Sequence, residues 1–299
     1  MKQPTFVKFH QKLADKWSTS YINSLFDEPE TIEINPVNFK NVSIPDFPVV
    51  VTHTSEGFAF LEHLHELGHP YGVVLMSDET LSEPYDYLDH PECVFCLRQY
   101  VHPELIRHPK VTTIPLGYTD GLQHPFGFNV PRASERRYTW SFAGSLKADR
   151  GEAIDAFSQL KPYQLNIYDQ FHDPAQLTSE EYSALLKKSK FIICPQGGCN
   201  IDSFRIYEAL TCGAIPVVMK NHAMFRCVPT YWHLLFQKVE SLPFIVADDW
   251  PEAAHVAGEL LRKNEVETVQ QKCLLFWTEQ TKILKQIIAL KLLELFEST

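Results

Sequence analysis

The sequence has no uncharged apolar run of about 18 residues, the length a membrane-spanning helix needs. Its first residues, MKQPTFVKFHQKLADKWS, lack the apolar centre of a secretory leader. Positive charge is also scarce: 27 Lys and Arg stand against 37 Asp and Glu, a net charge of −10. A broad surface for nucleic-acid phosphates is excluded on that ground, but a small basic pocket for one anion is not. There is no GxxxxGKS loop, no GxGxxG fingerprint and no Asp-x-Asp pair of the kind that holds a metal-bound nucleotide sugar. The single CxxC, Cys93 and Cys96, has no second Cys or His pair at zinc spacing, so no metal is expected. The seven cysteines are an odd set, several inside apolar runs, and read as reduced and buried. Internal repeats and low-complexity segments are absent.

What is present is ordinary globular composition, 44% hydrophobic and 21% charged over 299 residues, enough for two domains or one large one. Short apolar runs at 47–53, 71–76, 93–97, 111–116, 138–143, 164–168, 191–194, 215–218 and 244–246 read as strands buried on both faces. Helical patterns fall between and after them, at 56–67, 84–89, 150–160, 179–188, 203–212, 250–263 and 265–297. Residues 1–45 are mixed, with a helix expected near 6–26. The Gly-, Pro- and charge-rich stretch 119–137 reads as a linker. Alternating strands and helices on either side of it predict two Rossmann-like α/β domains with parallel sheets facing a cleft, 1–130 and 131–299. The final helix is apolar but broken by Lys and Glu at helical spacing. It reads as a packed amphipathic helix, with membrane-surface binding the alternative.

Ligands of open α/β sheets bind outside the carboxyl ends of the strands. Those ends carry His53 and Glu56; Asp78 and Glu79; Arg98; Gly117 and Tyr118; Gly144, with Lys147 and Arg150 close behind; and Gln196, Gly197 and Gly198. The glycine pair opens a helix on which Arg205 lies in the first turn. A cation there is disfavoured by the helix dipole, by roughly 0.3–1 kcal/mol, and an anionic ligand removes the conflict. Asp202 or Ser203 can cap this helix. Glu208 shares the face of Arg205. An arginine for a pyrophosphate and an acceptor-only carboxylate for a vicinal diol together fit a nucleoside diphosphate. A solvated Arg205–Glu208 pair is the alternative.

The segment 191–218, with Pro-Gln-Gly-Gly, Ser-x-Arg-x-x-Glu-Ala-Leu and Gly-x-Ile-Pro-Val, resembles the nucleotide-sugar-binding part of exostosin-like (GT47-type) glycosyltransferases. SFAGSLKADR (141–150) resembles another element of that family. VVLMSDET, CLRQY and TIPLGYTDG resemble its ribitol xylosyltransferase branch. The resemblance implies a GT-B fold and transfer from a UDP-sugar, UDP-xylose favoured, with inversion, to a glycan or polyol-phosphate acceptor, with no cofactor or metal required. It implies Arg205 on phosphate, Glu208 on ribose, a phosphate loop of Gly197, Gly198 and Ser203, and Arg150 as a second phosphate contact. Without an anchor, the chain reads as a cytoplasmic enzyme or an isolated domain.

Inversion needs a base for the acceptor hydroxyl. Asp78 ranks first, then Glu79, His53 and Glu56. The alternatives are a helix cap for Asp78 and a core or turn histidine for His53. Arg98 and Tyr118 fall on the acceptor side. Arg98 either binds an anionic acceptor or pairs with Asp78 or Glu79, because a buried charge wants a partner. Asp248 and Asp249 read as a helix start rather than a metal pair. Two other classes remain open: a catalytically silent nucleotide-sugar-binding module, and a sugar-nucleotide epimerase.

Overall fold

The computed structural model describes residues 3–9, 19–35, 39–122, 130–170, 174–221, 230–236, 239 and 241–298. The chain divides into two compact units, Met1–Pro115 with Thr281–Thr299, and Leu116–Gln280. The boundary expected at 130/131 falls inside the second unit, and the end of the C-terminal helix counts with the first.

The first unit holds a six-stranded parallel sheet. Its strands are β1 (Thr5–Phe9), β2 (Glu30–Ile34), β3 (Pro48–Thr52), β4 (Tyr71–Leu75), β5 (Cys93–Gln99) and β6 (Val111–Ile114), in the order β2-β1-β3-β4-β5-β6. PVVVT and YGVVL are buried at every position, as strands covered on both faces must be. Helix α1 (Thr19–Leu25) follows β1, and α2 (Ser55–Glu66) links β3 to β4. The helix expected near 6–26 is thus corrected at its start: Thr5–Phe9 is a strand, and 10–18 lie outside the described residues. Its Phe and Val side chains are buried, and pairing with β2 on one side and β3 on the other outweighs local helical pattern.

The second unit holds a five-stranded parallel sheet in the order β11-β10-β9-β7-β8. These strands are β7 (Tyr138–Ser145), β8 (Tyr163–Tyr168), β9 (Ser189–Ile193), β10 (Ile215–Met219) and β11 (Ile245–Ala247). Helices α3 (Arg150–Phe157), α4 (Ser179–Lys187), α5 (Phe204–Thr211) and α6 (Tyr231–Leu235) connect them. Helices α7 (Trp250–Arg262) and α8 (Val266–Glu297) close the chain. Thr178 caps α4 with a reciprocal bond from Glu181, and Asp249 caps α7. No helix among the described residues is long and apolar enough to cross a membrane.

Of the expected linker, 123–129 lie outside the described residues, and the rest is not a free tether. Arg136 is buried and donates to the carbonyls of Pro131, Leu186, Ser189 and Cys212. Burial brings its pKa down to about 10. Gln270 of α8 accepts from Ala133 N and donates to the carbonyls of Pro131 and Gly213. Cys93, Cys96, Cys194, Cys212 and Cys273 are free and buried and Cys199 is half-buried, while Cys227 lies outside the described residues.

Candidate functional site

Both sheets wind alike. The first strand of each unit has the second on one side and the third on the other, the 2-1-3-4-5 order of doubly wound folds. The chain therefore leaves the first and third strands in opposite directions, and their carboxyl ends open a crevice. In the second unit these ends belong to β7 and β9, and in the first to β1 and β3.

The β7/β9 crevice collects the residues expected to bind a donor. Arg205, from the first turn of α5 after β9, is half-buried and reaches back to β7. Its Nε and Nη2 donate to Ala143 O at 3.3 and 3.1 Å, and its guanidinium lies 5.2 Å from the Phe142 ring centre. Gly144 makes room for it. A Cβ there would fall 2.6 Å from Arg205 Nη2, and the φ of +154° is one that glycine tolerates. No carboxylate among the described residues comes within ion-pair distance of Arg205.

Glu208 is not a surface partner for that arginine. It is 3% exposed, and its Oε1 accepts from Thr119 Oγ1 at 2.6 Å and Thr119 N at 3.3 Å. The Tyr182 hydroxyl also bonds this carboxylate. Burial raises the Glu208 pKa above the usual carboxylate value, opposed by the Thr119 bond, the Arg205 charge and Tyr182. Burial and the neighbouring Glu208 push the Tyr182 hydroxyl well above its ordinary value. Thr119 and Tyr182 were not among the expected site residues. Nothing local marks them, because one sits 89 residues from Glu208 in sequence.

Ser203 occupies the N-cap position of α5 with extended backbone, yet its side chain makes no capping bond. Its Oγ is buried and finds no partner among the described residues. Gln196 is buried, its N donating to Asp149 Oδ1 at 3.2 Å and its Nε2 to Asn221 O at 3.3 Å. The bond from Gln196 N fastens the loop after β9 to the loop after β7, and Asp149 also accepts from Trp250 Nε1 at 2.9 Å, which ties that loop to the start of α7. Gly197 N donates to Asn200 O. The positive-φ glycines described in this unit are Gly117, Gly121, Gly144 and Gly213, and not Gly197 or Gly198. Arg150 is buried, its Nη1 donating to Ser145 O and Oγ at 2.8 and 3.2 Å. Lys147 is exposed on the same loop. Tyr118, expected on the acceptor side, belongs to the second unit and is buried beside Thr119.

The candidates in the first unit are rearranged. Asp78 and Arg98 form an ion pair of 2.7 Å with neither side chain exposed. Asp78 Oδ1 accepts from Ser82 N and Glu83 N, and Arg98 Nε donates to Tyr100 O. Arg98 Nη1 is buried without a partner. Both oxygens of Asp78 are thus committed, and Arg98 has no surface for an acceptor. This is the structural pair named above as the alternative. Next to it, His102 is buried and its pKa is lowered, by burial first and the Arg98 charge second. Glu79, in the loop after β4, and His53, just past β3, are both half-buried. Only His53 adjoins the crevice where the winding reverses. Glu56 follows in α2, its pKa lowered chiefly by a hydrogen bond from its own backbone. Among the described residues no group of three or more His, Cys, Asp or Glu could hold a metal ion.

Solved structures with this architecture include glycosyltransferases. A glycosyltransferase from Rickettsia africae superposes with a TM-score of 0.59 over 100% of both chains at 9% identity. Anabaena Alr3699/HepE in complex with UDP gives 0.54, covering 96% of this chain and 98% of that one at 10% identity. Phage T4 β-glucosyltransferase gives 0.52, covering 98% and 99% at 12% identity. At such identities the likeness shows the fold, and that fold is GT-B. Residues 128–298 match the family described as the RXYLT1 C-terminal domain, and the chain belongs to that family. Human ribitol-5-phosphate xylosyltransferase 1 is 31% identical over 121 residues, 37% of this chain and 27% of that protein. The Danio rerio protein of the same name is 31% identical over 102 residues, 33% of this chain and 23% of that protein. The matches thus span about a quarter of these relatives' length.

Proposed function

We propose that this chain is an inverting glycosyltransferase of exostosin-like type. Its second unit takes a UDP-sugar, UDP-xylose favoured, for transfer to a hydroxyl of a glycan or polyol-phosphate acceptor. The observation that carries the reading is the β7/β9 crevice. Among the described residues it holds a guanidinium with no carboxylate partner, a buried serine hydroxyl with no partner at a helix N-terminus, and a buried carboxylate one turn along. These suit a diphosphate at one end and a ribose diol at the other. The names of the curated relatives favour a xylosyl donor and a ribitol phosphate acceptor, and HepE was solved with UDP.

On this reading Arg205 and the α5 N-terminus stabilise the leaving diphosphate, and no resident cofactor is called for. The base is His53 in preference to Asp78. Its place just past β3 adjoins the winding reversal of the first sheet, whereas Asp78 is consumed by Arg98. Glu79 stands second. The burial of Asp78 is also the observation that keeps the silent binding module in view.

Two measurements test the proposal. Calorimetry with UDP, GDP and CMP should show UDP binding most tightly, with Arg205→Ala costing UDP at least tenfold while uridine barely changes. Release of UDP from UDP-xylose, UDP-glucose and UDP-N-acetylglucosamine is then followed with and without a polyol-phosphate acceptor. Acceptor-dependent release supports transfer. Binding without turnover of any donor supports the silent module. Conversion of a donor with no acceptor present supports an epimerase. Full turnover in His53→Asn would remove His53 as the base.

A further inference from the structure

The loop that precedes α5 contains a buried carboxylate with no part in the reading so far. Asp202 is 1% exposed. The Tyr207 hydroxyl lies 2.8 and 2.7 Å from its two oxygens, and the Tyr231 hydroxyl lies 3.0 Å from Oδ2. Tyr207 belongs to α5 and Tyr231 to α6, so one carboxylate ties the end of the loop to two helices. The rest of the loop is bonded to the same point. Asp202 N donates to Asn200 Oδ1 at 3.3 Å, and Gly197 N donates to Asn200 O at 2.9 Å. Asn200 is itself buried. The next residue is Ser203, whose buried Oγ has no partner and does not cap the helix.

A carboxylate so near a helix N-terminus ordinarily serves as its cap or complements its dipole. This one is turned onto two phenols instead, and the serine that follows is left for something else. As a bare charge, Asp202 would oppose an anion at the start of α5. As an anchor, it holds Ser203 and the first turn of α5 where a diphosphate would meet them. These two roles predict opposite signs for the same substitution.

We propose that Asp202, held by Tyr207 and Tyr231, is a positioning residue for the diphosphate end of the donor. This rests on the donor-site reading above. It acts through Ser203 and the α5 N-terminus and does not itself touch the nucleotide. The phenols hold the carboxylate in place, so the loop is set before the ligand arrives and binding need not pay to order it.

The test compares UDP with uridine, because only UDP reports on the diphosphate end. Calorimetry is run on the wild type, Asp202→Asn, Tyr231→Phe and Arg205→Ala, with urea unfolding of each as a check on folding. Asp202→Asn should lose about tenfold in UDP affinity, the scale of an impaired buried hydrogen-bond pair, with uridine within about twofold of wild type. Tyr231→Phe, which removes one donor, should lose about threefold in the same selective way. An unchanged ratio of UDP to uridine affinity in both variants overturns the proposal. Tighter UDP binding by Asp202→Asn also overturns it, since the carboxylate would then act as an opposing charge. Should Asp202→Asn fail to fold, Tyr231→Phe decides alone. Loss of UDP binding in Arg205→Ala but in neither other variant overturns this inference and leaves the donor site standing. A wild type that does not bind UDP overturns both.

Discussion

The two units share a winding order, yet they treat the arginine near their strand ends in opposite ways. In the first, Arg98 is fully buried against Asp78, so its charge is answered inside the protein. In the second, Arg205 is half-buried, donates only to a backbone carbonyl and has no carboxylate partner among the described residues. A charge answered by an acid holds a fold together. A charge answered only by a carbonyl dipole remains available to a ligand. The same residue type at similar places is therefore structural in one unit and, on the proposed reading, a binding group in the other.

The sharpest way to break this contrast is to remove one partner of the buried pair. Asp78→Ala leaves the Arg98 guanidinium without a counter-charge, and the unfolding free energy should fall by about 3–5 kcal/mol. Arg205→Ala should cost less than about 1 kcal/mol, because no charge is left buried and unpaired. Urea unfolding measures both. If Asp78→Ala keeps its stability and loses only turnover, Asp78 returns as the base and the contrast fails.

That pair also shows why the site was only partly legible beforehand. The strands at 48–52, 71–75 and 215–219, and 191–193 within β9, are nearly continuous apolar runs, and a run of that kind announces a doubly covered strand. The first two strands do not announce themselves. TFVKF opens a stretch of mixed pattern, and ETIEI is charged and largely exposed. Without them, Asp78 and His53 both read simply as residues that follow a strand, and nothing in the sequence set His53 ahead. With β1 and β2 in place, the winding reverses beside β3. In the second unit Arg205 and Glu208 were legible because helical spacing alone puts them on one face. Their partners were not. Thr119 lies 89 residues from Glu208, and Ala143 lies 62 from Arg205, separations that only the folded sheet closes.

Gly144→Ala sharpens the comparison from the backbone side. The new methyl would meet Arg205 Nη2 at 2.6 Å on a residue with φ near +154°. The conformational strain should cost roughly 1–3 kcal/mol of stability. The guanidinium is the flexible party and must move, so UDP affinity should fall by about tenfold with uridine little changed. Retained UDP affinity would show that the place of Arg205 over β7 is incidental.

Glu208 offers a test by pH. Burial raises its pKa in the folded state above the ordinary 4.5. The folded protein then holds this proton more tightly than the unfolded chain does. Its contribution to stability is full below the ordinary value and is lost as pH rises through the raised one, with a slope of at most about 1.4 kcal/mol per pH unit. Glu208→Gln, neutral at every pH, should remove that dependence in urea unfolding between about pH 4 and pH 8. Ligand binding should run the other way. A ribose diol donates to the charged carboxylate, so wild-type affinity for uridine should weaken as pH falls through the raised value. Parallel trends in stability and uridine binding would deny Glu208 the ribose.

Lys147 gives the smallest expected effect and so calibrates the rest. It is exposed on the loop after β7, where water and salt screen its charge. Lys147→Ala should change UDP affinity by less than about threefold at 0.15 M salt and somewhat more at 0.01 M, as screening relaxes. Arg205→Ala, which removes a half-buried guanidinium proposed to bond the phosphate directly, should keep most of its effect at both. A Lys147 effect as large and as salt-resistant as that of Arg205 would mean that the loop after β7 closes over the diphosphate. The donor charge would then be met by both strand ends of the crevice rather than by α5 alone.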